Sequence, residues 1–130
     1  MIEKELKKGN NVPLLEKAKS YDNIDAKLVA EMARCGDELS IKIFKKVGKM
    51  LGRSLSIIID LFNPERISLA GVYMRHHDLL DKEMYKELKK ESLSYSLNVC
   101  EIVPAKLNEE VGDYSAICVA LNGLKEKKKQ

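Results

Sequence analysis

The chain has 130 residues, 45% hydrophobic and 33% charged, with a net charge of +3 from 23 basic and 20 acidic side chains. That length is one domain's worth of chain, enough to bury about two-thirds of the unfolded surface around a core. No run approaches the ~20 apolar residues of a membrane span and the first five residues lack a signal peptide's apolar segment, so a cytoplasmic protein without membrane contact is expected.

Taken in chain order, residues 1–12 are polar and broken at Gly9-Asn10-Asn11. Pro13 suits the first turn of a short helix through Leu14, Leu15 and Ala18 that ends near Ser20-Tyr21. Asp25 is the expected N-cap of a helix from Ala26 to Arg34, with Leu28, Val29, Met32 and Ala33 on one face and Gly36 as its stop.

Asp37 then caps one long helix that Asn63-Pro64 ends, because proline lacks an N–H and excludes the residue before it from the α region. Steps of three and four place Ser40, Phe44, Val47, Leu51, Leu55, Ile58 and Phe62 on a stripe expected to face the core. A second row, Gly48, Gly52 and Ser56, is small enough to let another backbone approach.

Arg66 to Gly71 is a short apolar run closed by glycine and reads as a strand. A loop with Tyr73, Arg75, His76 and His77 follows, then a helix from about Leu79 to Leu93 with Leu80, Met84, Leu88 and Tyr95 as its core stripe. Leu97 to Val103 includes a second strand bounded by Pro104. After a polar connection, Lys106 to Val111, Asp113 caps a last helix from about Tyr114 to Leu124 that is expected to bury Ile117, Ala120, Leu121 and Leu124.

Strands separated by a helical crossover lie parallel, so the order of elements describes an α/β chain, α-α-α-β-α-β-α, with a small parallel sheet. A parallel pair normally belongs to a larger sheet, and something else is expected to complete this one.

Three side-chain classes carry little chemistry by pattern. Cys35, Cys100 and Cys118 are odd in number with no C-x-x-C spacing, which argues against a disulfide framework or a zinc site and for buried or half-buried reduced thiols. The adjacent pair His76-His77 diverges on either a helix or a strand and makes a poor chelate, so a surface loop is expected and no metal site. The tail 125–130 holds four lysines and one glutamate, which account for the whole net charge, and it reads as a solvated end. A neutral body offers no phosphate-reading face, so nucleic acid is not expected as a partner.

The segment Gly36-Asp37, the long helix with Gly52, and then Leu61-Phe62-Asn63-Pro64-Glu65-Arg66-Ile67-Ser68-Leu69-Ala70-Gly71 resembles the C-terminal part of ROK-family proteins, a family of repressors, unassigned reading frames and sugar kinases. Val111-Gly112-Asp113-Tyr114-Ser115-Ala116-Ile117-Cys118-Val119-Ala120 is similar to that family's closing segment. The match runs over about Asp25 to Leu124, which sets off residues 1–24 as an N-terminal segment and 125–130 as the tail.

The resemblance implies part of the C-terminal lobe of an actin-like ATPase (ribonuclease H-like) fold. It places Ala70, Gly71 and Val72 on a nucleotide-side turn that departs from the family, which usually has two or three glycines there. The family's phosphate loop, catalytic base and zinc motif have no counterpart in this sequence, so no catalytic residue is assigned and the expectation leans away from an enzyme. Two functions follow: a non-catalytic interaction or regulatory module related to sugar-responsive transcriptional regulators, or a nucleotide- and sugar-binding lobe that needs a separate ROK N-terminal lobe. ATP and magnesium would bind only with such a lobe present. The strand edge Arg66–Ala70 would be left open, and it is expected to pair with itself in a homodimer or be covered by residues 1–20.

Overall fold

The computed structural model describes residues 1–7, 12–106 and 110–127. Within them lie seven α-helices, α1 (Ile2–Leu6), α2 (Pro13–Ala18), α3 (Ala26–Arg34), α4 (Glu38–Phe62), α5 (Val72–Glu91), α6 (Ser94–Val99) and α7 (Val111–Lys127), and two strands, β1 (Arg66–Leu69) and β2 (Glu101–Pro104). The expected break at Gly9-Asn10-Asn11 falls outside the described residues.

The helix boundaries follow local chemistry closely. Ser20 accepts a bond from the Asp22 amide and opens a 3-10 turn over Tyr21–Asn23. Asp25 accepts from the Leu28 amide at 2.7 Å and Asp37 from the Ser40 amide at 2.8 Å, so both act as N-caps. Between them, Gly36 (φ +91°) closes α3 with paired bonds, Gly36 N–H to Ala33 O at 3.1 Å and Asp37 N–H to Met32 O at 3.0 Å. Asn63 takes a left-handed conformation (φ 44°, ψ 51°) after α4, and Pro64 prevents further helix.

The core sits between α4 and α5, with α3 packed along α4 and Leu14 of α2 fully enclosed. Its α4 face runs through Ser40, Phe44, Gly48, Gly52, Leu55, Ser56 and Ile59. The sequence stripe is therefore corrected at three positions: Val47, Ile58 and Phe62 are exposed. The glycine row, not those apolar residues, faces the neighbouring helix, because only there does the α5 backbone come close. A Cβ on Gly48 would lie 2.7 Å from the Leu80 carbonyl oxygen.

Helix α5 begins at Val72, seven residues before the expected start near Leu79, and passes through Tyr73 and both histidines. It kinks at His76 (φ −136°, ψ 28°). Tyr73, His76, Leu80, Met84 and Leu88 are all buried and spaced by three and four, so the helical period extends through this stretch once the histidine is counted as a core residue. At the other end Tyr95 is exposed rather than core, and Leu97–Val99 form the end of α6 rather than the start of a strand.

β1 and β2 pair in parallel, Arg66 with Glu101 through Leu69 with Pro104, as the helical crossover requires. Ile67 and Ile102 turn toward the helices, whereas Arg66 and Glu101 are exposed and joined by a 2.7 Å ion pair. Among the described residues no third strand joins the sheet.

Helix α7 differs most from expectation. Every residue from 112 to 121 is exposed, including Ile117, Ala120 and Leu121, and Asp113 lies in its first turn rather than at its cap. Its apolar side chains lie on all sides of the helix, so no single stripe drives it onto its own core. The side chain of Leu124 lies outside the described residues.

Candidate functional site

The paired ends of β1 and β2 form the candidate site's edge. Both strands run toward Leu69 and Pro104, and the Ala105 amide extends the ladder with a 2.9 Å bond to Leu69 O. Ligand crevices in parallel sheets form beyond such carboxyl ends. From β1 the chain passes through Ala70, Gly71 and Val72 into α5, and all three are exposed. Gly71 has φ +67° and ψ −127°, a conformation that disfavours any residue with a Cβ, and a Cβ there would meet nothing within 4 Å. Backbone geometry, not crowding, demands the glycine. The turn thus presents open space at the start of α5, where the helix's first amides lack partners within the helix.

Beneath that turn lies a cluster that ties α3 to α5. The Tyr73 hydroxyl donates to Asp81 at 2.8 Å, and His77 Nδ1 lies 3.4 Å from the other oxygen of the same carboxylate. Burial, reinforced by Asp81, raises the Tyr73 pKa well above the ordinary phenol value, so the hydroxyl stays protonated and serves as a donor. Arg34 grips Asp78 through both carboxylate oxygens at 2.9 Å, with its Nε at 3.1 Å. The same guanidinium stands 3.4 Å from His76 Nδ1, and the edge of His76 meets Phe44 with ring centroids 5.8 Å apart.

Burial and then the Arg34 charge lower the His76 pKa, whereas the hydrogen bond from Arg34 lowers that of Asp78. This arrangement fixes the kink of α5 with neutral His76 inside. Sequence reasoning missed it because Arg34 and Asp78 are 44 residues apart, and only the buried spacing of Tyr73 and His76 hinted at it. Arg75 is exposed on the same turn of α5.

Ala70, Gly71 and Val72 form the exposed turn. Val119, Ala120 and Leu121, at the end of the closing segment, stand exposed on α7. Asp37 is occupied as a cap.

Two cavities lie elsewhere. One of about 580 Å³ is lined at the α3–α4 corner by Glu5, Pro13, Met32, Cys35, Asp37 and Lys42 among others, and its carboxylates make it unsuited to phosphate. A smaller one of about 290 Å³ lies between α5 and α6, bordered by Tyr85, Lys89, Ser92 and Cys100. Burial pushes the Cys100 thiol pKa up, away from nucleophilic thiolate character. Cys35 and Cys118 are exposed rather than buried, the first at a helix end and the second on uncovered α7. Among the described residues no three His, Cys, Asp or Glu side chains converge as a metal-ligand set, and no helix is long and apolar enough to cross a membrane.

Known proteins resemble this chain across both branches of one family. Over 50 residues it is 38% identical to the DNA-binding transcriptional dual regulator NagC of Escherichia coli K12, covering 38% of this chain and 12% of that protein. It is 26% identical over 113 residues to the glucokinase of Thermotoga maritima, covering 87% of this chain and 36% of that one. The chain therefore spans a minor part of these relatives.

Among solved structures, a ROK family transcriptional regulator homologous to the E. coli MLC protein superposes with a TM-score of 0.57 at 27% identity, over 62% of this chain and 20% of that chain. A putative sugar kinase from Cytophaga hutchinsonii gives a TM-score of 0.62 at 24% identity, over 68% and 30%. The model of the ROK family matches residues 2–122, and the chain belongs to that family.

Proposed function

We propose that this chain works by association: it is a non-catalytic ROK-type lobe, with part of the actin-like ATPase fold, whose role is to bind another folded surface. The observation that carries this reading is the large apolar area it leaves to solvent. Leu61 is 71% exposed, Phe62 74%, Val119 73% and Tyr95 79%, and among the described residues no strand other than β2 pairs with β1. Large apolar side chains exposed in number favour burial against another surface, and exposed strand edges recruit further strands.

Kinship with regulators and kinases alike fits a scaffold that survives changes of function in its sites. The test is sedimentation of the purified chain together with calorimetric titration by Mg-ATP and by a panel of hexoses and N-acetylhexosamines. Self-association or capture of a ROK N-terminal lobe without ligand binding supports the reading. Micromolar nucleotide binding by the chain alone overturns it.

A second reading has its own observation. The Gly71 turn keeps both the left-handed backbone and the open space that close approach of a ligand requires, and the glucokinase relative matches 87% of this chain. In that reading Ala70, Gly71 and Val72 supply the nucleotide side of a site completed by a separate N-terminal lobe, whose strands add to the Arg66–Ala70 edge. Mg-ATP binding that appears only on mixing the two lobes supports this second reading.

A further inference from the structure

The cavity of about 290 Å³ between α5 and α6 is used neither by the core nor by the sheet-edge turn. Tyr85 and Lys89 border it from α5, Ser92 from the C-cap of that helix, and Ser94 and Asn98 from α6. Cys100, which also lines it, immediately precedes β2, so the cavity lies at the amino end of that strand. The Gly71 turn stands at the opposite, carboxyl end of the sheet, about 21 to 27 Å from Tyr85 and Lys89 along the axis of α5. The two are separate places.

The cavity is rich in donors. Among the described residues no carboxylate lines it and Lys89 makes no ion pair, whereas its neighbour Lys90 is held by Glu91 at 2.7 Å. Burial, and then the Asp81 charge, raise the Tyr85 pKa, so its hydroxyl keeps its proton. The Ser92 hydroxyl oxygen is buried and has no hydrogen-bond partner among the described residues, which in a folded chain calls for an explanation. Its single side-chain torsion can turn it into the cavity that Ser92 borders.

We infer that this cavity binds a small organic monocarboxylate, with the carboxylate on the Lys89 ammonium and the Tyr85 and Ser92 hydroxyls and the short carbon chain against Leu97 and Cys100. One unpaired cation matches one negative charge. The Asp81 and Glu101 charges reach Tyr85, so a dianion meets more repulsion here than a monoanion does. Neither competes for Lys89, because Tyr73 donates to Asp81 at 2.8 Å and Arg66 holds Glu101 at 2.7 Å. Burial keeps Cys100 a neutral thiol, which suits an uncharged chain. The volume stands at the small end of ligand pockets, enough for a short acid and too little for a nucleotide.

This site is independent of the association reading, and its test leaves that reading untouched. The full chain is titrated with acetate, lactate, pyruvate and butyrate, and with inorganic phosphate beside them, while amide NMR shifts are followed. The rate at which iodoacetamide labels Cys100 is read by mass spectrometry as a second measure. The best of the four acids is expected to bind with a Kd of about 1 mM or below. At ten times its Kd it is expected to slow Cys100 labelling about tenfold, while exposed Cys35 and Cys118 react as before.

Lys89→Gln is expected to raise that Kd at least about tenfold and Ser92→Ala about threefold, with circular dichroism confirming the fold of each. Shifts centred on Tyr85, Lys89 and Asn98 that weaken in both variants support the inference. If none of the four acids binds or protects Cys100 at about 20 mM, the site is overturned. Tighter binding of phosphate than of every acid overturns the ligand class. Binding that Lys89→Gln leaves unchanged overturns its placement in this cavity.

Discussion

Gly52 lies against the backbone of Met84, so closely that a Cβ built on it would sit 2.5 Å from the Met84 carbonyl oxygen and 3.0 Å from the Glu87 Cβ. A backbone carbonyl inside a helix cannot swing aside as a side-chain tip can. Gly52→Ala therefore has to push α5 away from α4, and it is expected to destabilise the chain by about 2 to 3 kcal/mol, as overpacked cores do. Gly48→Ala, one turn earlier at 2.7 Å from the Leu80 oxygen, is expected to cost slightly less. Urea titration followed by circular dichroism checks both, and a loss below about 0.5 kcal/mol for Gly52→Ala would contradict the close packing.

The same helix pair is held by a buried carboxylate. Glu87 is 5% exposed, and Arg53 Nε donates to it at 2.8 Å while Lys49 and Lys90 stand 3.8 Å away. Arg53→Ala removes the one hydrogen-bonded cation and leaves a buried charge with more distant partners, which is expected to cost about 3 kcal/mol. Glu87→Gln keeps the shape without the charge, so Arg53→Ala/Glu87→Gln is expected to lose less than Arg53→Ala alone. The double-mutant cycle in urea measures that difference, and strict additivity would mean that the pair contributes nothing.

Much of this arrangement was legible in the sequence because it is local. Caps at Asp25 and Asp37, the stops at Gly36 and Asn63-Pro64, and the parallel pairing of Arg66–Leu69 with a later strand all depend on neighbours or on chain order. The misreadings share one cause: periodicity says that a face exists but not which partner it meets. On α4 two faces carry apolar residues, and contact with the α5 backbone picked out the glycine row for the core, leaving Val47, Ile58 and Phe62 outside. His76 was placed on a surface loop because an adjacent histidine pair diverges and makes a poor chelate, yet Phe44 and Arg34 enclose it. The turn at Gly71 was named from sequence, but the Arg34–Asp78 clamp beneath it was not, since nothing in either residue's neighbourhood points to the other.

Helix α7 gives a prediction of opposite sign from ordinary core logic. Ile117, Val119 and Leu121 are all at least half exposed, so Ile117→Glu and Val119→Glu remove no buried contact from the folded chain. Each is expected to leave the urea midpoint within about 0.5 kcal/mol of wild type, whereas a core position would lose about 3 kcal/mol or more. The variants are also expected to stay in solution at higher concentration, because each charge breaks an exposed apolar run. A core-sized loss of stability would show that α7 packs onto its own chain in solution.

The clamp at the α5 kink makes stability depend on pH in two windows. His76 has a lowered pKa in the folded chain, so the unfolded chain takes up its proton first as pH falls. The neutral ring's contribution is fully present above the unfolded value of about 6.5 and is lost as pH falls through the folded one. Asp78, also lowered, contributes above the unfolded carboxylate value of about 4 and loses that contribution as pH falls through its folded value. Tm is therefore expected to decline first as pH falls below about 6.5 and again below about pH 4. His76→Phe removes the titrating ring while keeping an aromatic edge against Phe44, and it is expected to flatten the upper decline and leave the lower one. Asp78→Asn is expected to flatten the lower one, so an unchanged upper decline in His76→Phe would assign that window to another group.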